Sequence, residues 1–150
     1  MASKTFHFPR FSLVQGDIKV DVSLNRFEKQ YQKAQYYLDS QIMNDMVPYM
    51  SHRDGIFVNL TRLQSAALAG TGKVIAAAPP QGRFLYEGKV MIDPVTGSPW
   101  ARKGAKKVVT DRPLTYSNPK ATPHWFDTAK DAHDKAWVKG VKRIAGGGKK

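Results

Sequence analysis

The chain has 150 residues, 41% of them hydrophobic, and 24 Lys/Arg against 12 Asp/Glu, for a formal net charge of +12. A chain of this size buries roughly 70% of its unfolded surface in a single core and needs no covalent staple. With no cysteine, disulfides, thiolate metal sites, iron–sulfur clusters and Cys-nucleophile chemistry are excluded; Met1 to Arg10 lacks the apolar core of a signal peptide, and no stretch approaches the ~20 apolar residues of a membrane span.

Residues 1 to 22 read as an extended arm, because Ile18, Val20 and Val22 alternate with Lys19 and Asp21, a period of two. Phe6, Phe8 and Phe11 precede them and pack either on the domain's own core or on a neighbour. The first helix is expected from about Asn25 to Val47. Asn25 with Glu28 three residues on has the form of a capping box. Phe27, Tyr31, Ala34, Leu38, Ile42 and Met46 recur at spacings of three and four, which puts them on one face. Pro48 stops the run by disfavouring the helical conformation at Val47. Tyr36 and Tyr37 lie partly off that stripe, at the edge of the core or at an interface.

After a turn at Ser51 to Gly55, Ile56 to Leu60 reads as a strand and Leu63 to Ala69 as helix-permissive. Lys73 to Ala78 reads as a strand cut by Pro79-Pro80, Gly82 to Gly88 as one or two helical turns, and Val90 to Ile92 as extended. Residues 93 to 107, DPVTGSPWARKGAKK, carry two Pro, two Gly and four Lys/Arg beside Trp100, the composition of an exposed loop or long hairpin tip. Val108, Val109, Leu114 and Tyr116 suggest flanking strand segments. In the last helix Thr122 is the expected N-cap, with Pro123 at the first position. Phe126, Ala129, His133, Trp137, Val141 and Ile144 form its apolar stripe, and Gly146 to Lys150 is a flexible Gly/Lys tail. The domain organisation is thus an arm, 1–22, one α+β domain, 23–145, and a tail, 146–150.

Catalytic and metal chemistry finds little support. The four histidines are scattered, and His124 and His133 stand nine residues apart, which is no ligand pair. His52-Arg53-Asp54 has the letters of a kinase catalytic loop without its glycine-rich loop or following asparagine. Gly70-Thr71-Gly72-Lys73 has a faint phosphate-loop look but lacks the spacing, with Val74 where a Ser or Thr is needed. Both read as turns. No catalytic residue, metal ligand or cofactor is expected. The charge is the stronger signal: residues 101 to 150 hold thirteen Lys/Arg against four Asp/Glu. Such a field steers contact with nucleic acid or an acidic protein, or is a solvated basic face. Arg102, Lys103, Lys106 and Lys107 beside Trp100 have the ingredients of sequence-independent contact, phosphate-binding cations and a stacking ring.

The order of MVPYMSHRDG closing the first helix, GRFLYEGKV after a Pro pair, and PKATPHWFDTAK opening the last helix resembles the small minor capsid proteins of tailed bacteriophages and prophages of Gram-positive bacteria, over roughly residues 23 to 145. Val47-Pro48 and Asp54-Gly55 match that family's turn after its first helix. Phe84, Leu85, Tyr86, Glu87 and Gly88 match its aromatic-rich segment, and Pro119, Ala121, Trp125 and Phe126 match the approach to its last helix. The loop from Asp93 to Lys107 departs from the family's pattern, which leaves its role open.

The resemblance implies an α+β fold, two helices on a small antiparallel sheet, and a non-enzymatic virion protein assembled in the bacterial host cytoplasm. It implies a ring of identical subunits between portal and tail, a head–tail connector or tail-completion role, with neighbouring neck or tail proteins and genomic DNA as partners and no membrane. A closed ring needs two different complementary surfaces on each subunit. The candidate interface residues are Phe6, Phe8, Phe11 and Trp100; the candidate DNA-facing residues are Arg102, Lys103, Lys106 and Lys107. The competing expectation is a small basic nucleic-acid-binding protein, for which tight monomer binding to unrelated DNA sequences would speak.

Overall fold

In the computed structural model, residues 10–146 are described. The expected positions Phe6 and Phe8 lie outside them, and Phe11 is described through its backbone. The chain is α+β: strands β1 (Phe11–Gln15) and β2 (Ile18–Val22), helix α1 (Asn25–Met46), a 3-10 turn (Val47–Tyr49), helix α2 (Ile56–Leu68), helix α3 (Gly82–Glu87), strands β3 (Lys89–Ile92) and β4 (Val108–Pro113), and helix α4 (Trp125–Ala145). The strands form two separate antiparallel ribbons, β1–β2 and β3–β4.

The long first helix runs over the expected residues, but its cap differs. Leu24 occupies the N-cap position without a side-chain hydrogen bond and Asn25 is already helical, so the capping box does not form. The expected stripe is buried only from Ala34 onward. Ala34 and Met46 are buried, Leu38 and Ile42 are half-buried, and Phe27 and Tyr31 are exposed, while Met43, outside the expected stripe, is in the core.

Helix α4 packs antiparallel on α1. Thr122 N–H donates to Tyr49 O at 3.1 Å, the Trp137 indole N–H donates to Asp45 Oδ2 at 2.6 Å, and Gly140 lies against the Tyr37 ring. A Cβ at Gly140 would overlap that ring, so glycine permits the close approach. The core where the helices meet comprises Met43, Met46, Met50, Phe57, Val58, Ala78, Trp125, Ala129 and Trp137. Trp125 is fully buried, donates from Nε1 to Ala76 O at 2.8 Å, and meets Phe57 and Tyr86 edge-on at 5.8 and 4.9 Å. Truncating such a residue to alanine costs about 3–5 kcal/mol.

Three further expectations are corrected, and Leu114 and Tyr116, expected in a flanking strand, lie beyond the end of β4 at Pro113. Ile56 to Leu60 is not a strand but the first part of α2, which absorbs the helix-permissive segment after it. Gly55 turns the chain in the left-handed region at φ 75°, and Asp54 Oδ1 accepts from Ile56 N–H at 3.1 Å, which starts the helix. Its buried face, Phe57, Val58, Thr61 and Ser65, has helical spacing, but half of it is polar and therefore silent in a hydrophobicity pattern. Those two hydroxyls also explain why Lys73 to Ala78 is not a strand. Ser65 Oγ donates to Ile75 O at 3.0 Å and accepts from Ile75 N–H at 3.1 Å, and Thr61 Oγ1 accepts from Ala78 N–H at 3.2 Å. Backbone groups that a strand would offer to a ladder are bound to side chains of α2.

The third correction is the start of α4, two residues later than Thr122 and Pro123 imply. His124 is the N-cap, in the left-handed region at φ 50°. Its N–H donates to Tyr86 O at 2.9 Å and its ring stands edge-on to Tyr86 at 4.9 Å. Tertiary contacts of His124 and the burial of Trp125 set the boundary. Thr122 Oγ1 instead bonds the Thr128 hydroxyl at 2.9 Å.

Candidate functional site

The loop from Asp93 to Lys107 connects β3 to β4 as the tip of a hairpin, and one buried carboxylate organises it. Asp93 has no solvent exposure. Its Oδ1 accepts from Val95 N–H at 2.8 Å, from Thr96 N–H at 3.4 Å and from Arg102 Nη2 at 3.3 Å. Oδ2 accepts from Arg102 N–H at 3.1 Å and Nε at 2.9 Å. The Arg102 guanidinium and these amides favour the ionised form, which holds the Asp93 carboxyl well below the usual carboxylate range. Asp93 also bonds through its backbone, from N–H to Ser98 O and from O to Gly97 N–H, both at 2.8 Å. The loop is therefore folded around its own first residue, and Trp100 projects from it with 85% of its surface exposed.

The basic residues of this loop divide by environment. Arg102 is committed to Asp93 at 2.9 Å, with about half of its side chain exposed. Lys107 is half-buried with Nζ 5.5 Å from the centroid of Phe84, a cation–π contact. Lys103 and Lys106 are exposed. A second basic surface lies on α4, where Lys135, Lys139 and Lys142 are exposed around Val138. Their spacings of four and three put them on one face. Sequence reasoning did not single out these three as a candidate site, although their spacing is legible once the buried face is fixed by Ala129, Trp137 and Gly140.

The N-terminal arm is a β-hairpin. Gln15 pairs with Ile18 across Gly16-Asp17, and Gly16 takes φ 61°, the positive φ that a two-residue turn with glycine first requires. Strand alternation puts Leu13, Ile18, Val20 and Val22 on one face with Gln15 at its tip, and Ser12, Lys19 and Asp21 on the other with Val14. Lys19 and Asp21 form an ion pair at 3.3 Å on the polar side. Every side chain from Ser12 to Val22 is exposed. The apolar face is uncovered: Leu13 and Ile18 are 63% and 68% exposed. Of the expected interface set, Trp100 is on the surface, Phe11 pairs with Val22 through the backbone, and the side-chain roles of the three phenylalanines fall outside what is described.

The two chance motifs are turns with internal uses. Gly70 and Gly72 donate their N–H groups to Asp39 Oδ2 at 2.8 and 3.0 Å, so the faint phosphate loop cradles a carboxylate of α1. His52 to Asp54 forms the bend before α2, with Asp54 at the helix start. Among the described residues no group of three or more His, Cys, Asp and Glu can hold a metal ion, and no helix is long and apolar enough to cross a membrane. Comparison with protein-family models, with curated proteins and with solved structures finds no match to this chain.

Proposed function

We propose that this chain is a structural, non-enzymatic virion protein of the phage neck, joining head to tail within a symmetric ring of its own copies around the DNA channel. The observation that carries the reading is the β1–β2 ribbon, whose apolar face is exposed rather than packed on the core of the described residues. An isolated two-stranded hairpin is marginal in water, and a clustered apolar face with a polar back is the composition of an interaction surface. Full burial of such aliphatic side chains contributes roughly 1.5–3 kcal/mol each, set against the cost of association. The ribbon and the Trp100 loop supply the two unlike surfaces that a head-to-tail ring requires.

The distribution of cations favours this reading over a dedicated nucleic-acid binder. With Arg102 on Asp93, the loop offers the exposed Lys103 and Lys106 and the half-buried Lys107, joined by the three lysines of α4. Few phosphate contacts give weak, salt-sensitive binding, suited to a channel through which DNA slides. Cryo-electron microscopy of purified phage particles tests the proposal. Density for this chain as a ring between portal and tail is expected, and its absence from the virion would replace the neck reading with sequence-independent nucleic-acid binding.

A further inference from the structure

A cleft of about 660 Å³ opens between the bend before α2, helix α3 and the β3–β4 hairpin. Its floor is apolar. Phe57 and Met91 are buried at its base, with Phe84 and Leu114 half-exposed along its walls. Its rim is cationic, with Arg53, Lys89 and Lys107 lining it. The one acidic residue of the lining is Asp54, whose carboxylate already accepts from Ile56 N–H.

We propose that this cleft binds an acidic linear peptide segment of a partner protein, with a large apolar side chain seated on Phe57, Phe84 and Met91 and its flanking carboxylates on Arg53, Lys89 and Lys107. Charge selects the occupant. The chain carries a net charge of +12, so a second copy would bring a cationic surface to a cationic rim. A nucleic-acid duplex, its bases paired and stacked, would satisfy the rim but leave the apolar floor without a partner. An apolar anchor within a run of carboxylates satisfies both. Lys107 needs no rearrangement, because an ammonium over the Phe84 ring keeps donors free for an incoming carboxylate. This inference goes beyond the neck assignment and stands without it, since it concerns the partner's chemistry and not where the chain resides.

The test is a random-peptide display library selected in parallel against the full chain and its R53E/K89E/K107E variant. Expected is enrichment, on the wild type only, of peptides in which Asp or Glu flanks Phe, Trp or Leu. A fluorescein-labelled synthetic copy of the top peptide should lose at least ten-fold in affinity on the variant, and regain it when the peptide's acids are replaced by Lys. Should the variant fail to fold, as judged by circular dichroism, amide chemical shifts of the wild type titrated with that peptide give the answer: changes centred on Phe84, Met91 and Leu114 support the proposal, and changes elsewhere overturn it. No acidic enrichment, or equal binding to both proteins, overturns it too. So does a labelled oligothymidine whose binding depends on these three cations while no peptide's does, which would make the cleft a nucleic-acid site.

Discussion

Arg102 closes the β3–β4 loop by donating from Nε to the solvent-free carboxylate of Asp93 at 2.9 Å, nine residues back along the chain. The pair holds the segment that carries Trp100. Asp93→Ala should leave α1 and α4 folded while raising hydrogen exchange at the amides of Val95, Thr96 and Arg102. Trp100→Ala should leave exchange at those amides unchanged, because the ring is a passenger on the loop.

The same pair sets an acid dependence whose sign follows from the lowered pKa of Asp93. A carboxylate whose folded pKa is depressed contributes stability that is fully present above its unfolded value, about 3.9. That contribution is lost as pH falls through the folded value. Unfolding midpoints of the wild type should therefore decline below about pH 4 more steeply than those of Asp93→Asn. Parallel curves for the two proteins between pH 5 and pH 2 would remove Asp93 from the acid response.

Where α1 and α4 meet, Trp137 and Gly140 act by different means. Trp137→Phe keeps most of the apolar volume but leaves Asp45 without its indole donor, with Gln41 Nε2 at 3.1 Å as its remaining side-chain partner. Loss of a hydrogen bond to a charged acceptor costs about 1.5–3 kcal/mol. Gly140→Ala puts a methyl into the Tyr37 ring, an overpacking cost of about 1–3 kcal/mol, and Tyr37→Leu in the same chain should recover part of it. Urea denaturation of the single and double variants measures both effects.

Both long helices were legible because each repeats apolar residues at three and four, and the two stripes meet at Met46, Ala129 and Trp137, with Met43 buried beside the first stripe. The loop at Asp93 was legible from its Pro, Gly and Lys content. What stayed hidden is polar. Thr61 and Ser65 face the core of α2 and hold the backbone of Ile75 and Ala78, so a helix read as a strand and a braced segment read as another. The anchoring of Asp93 by Arg102 was equally silent, since a nine-residue separation has no periodicity and Arg102 sits in a run of cations that reads as one solvated cluster. In the arm, alternation revealed extended chain, while the Gly16-Asp17 turn that folds it back went unread between Gln15 and Ile18.

The β1–β2 ribbon can be altered without disturbing the core, because its described side chains are exposed. Leu13 and Val20 are cross-strand partners on its apolar face. Leu13→Glu with Val20→Lys keeps an attractive pair across the hairpin while making that face polar. The double variant should unfold within about 0.5 kcal/mol of the wild type, as surface substitutions usually do, yet fail to enter assembled particles in a complementation assay. Normal incorporation would remove the ribbon from the assembly interface.

The α4 stripe makes the last prediction, through salt. Each phosphate that a variant no longer neutralises lowers the slope of log K against log salt by about 0.9 on duplex DNA. Lys135→Gln, Lys139→Gln and Lys142→Gln together should therefore flatten the slope by up to about 3. Lys103→Gln with Lys106→Gln should flatten it by no more than about 2. Because phosphate binding carries no base information, the loss should be equal on unrelated sequences. Nitrocellulose filter binding between 50 and 200 mM salt gives both slopes. A larger loss from the loop pair than from the helix triple would make the Trp100 hairpin, and not α4, the surface that faces DNA.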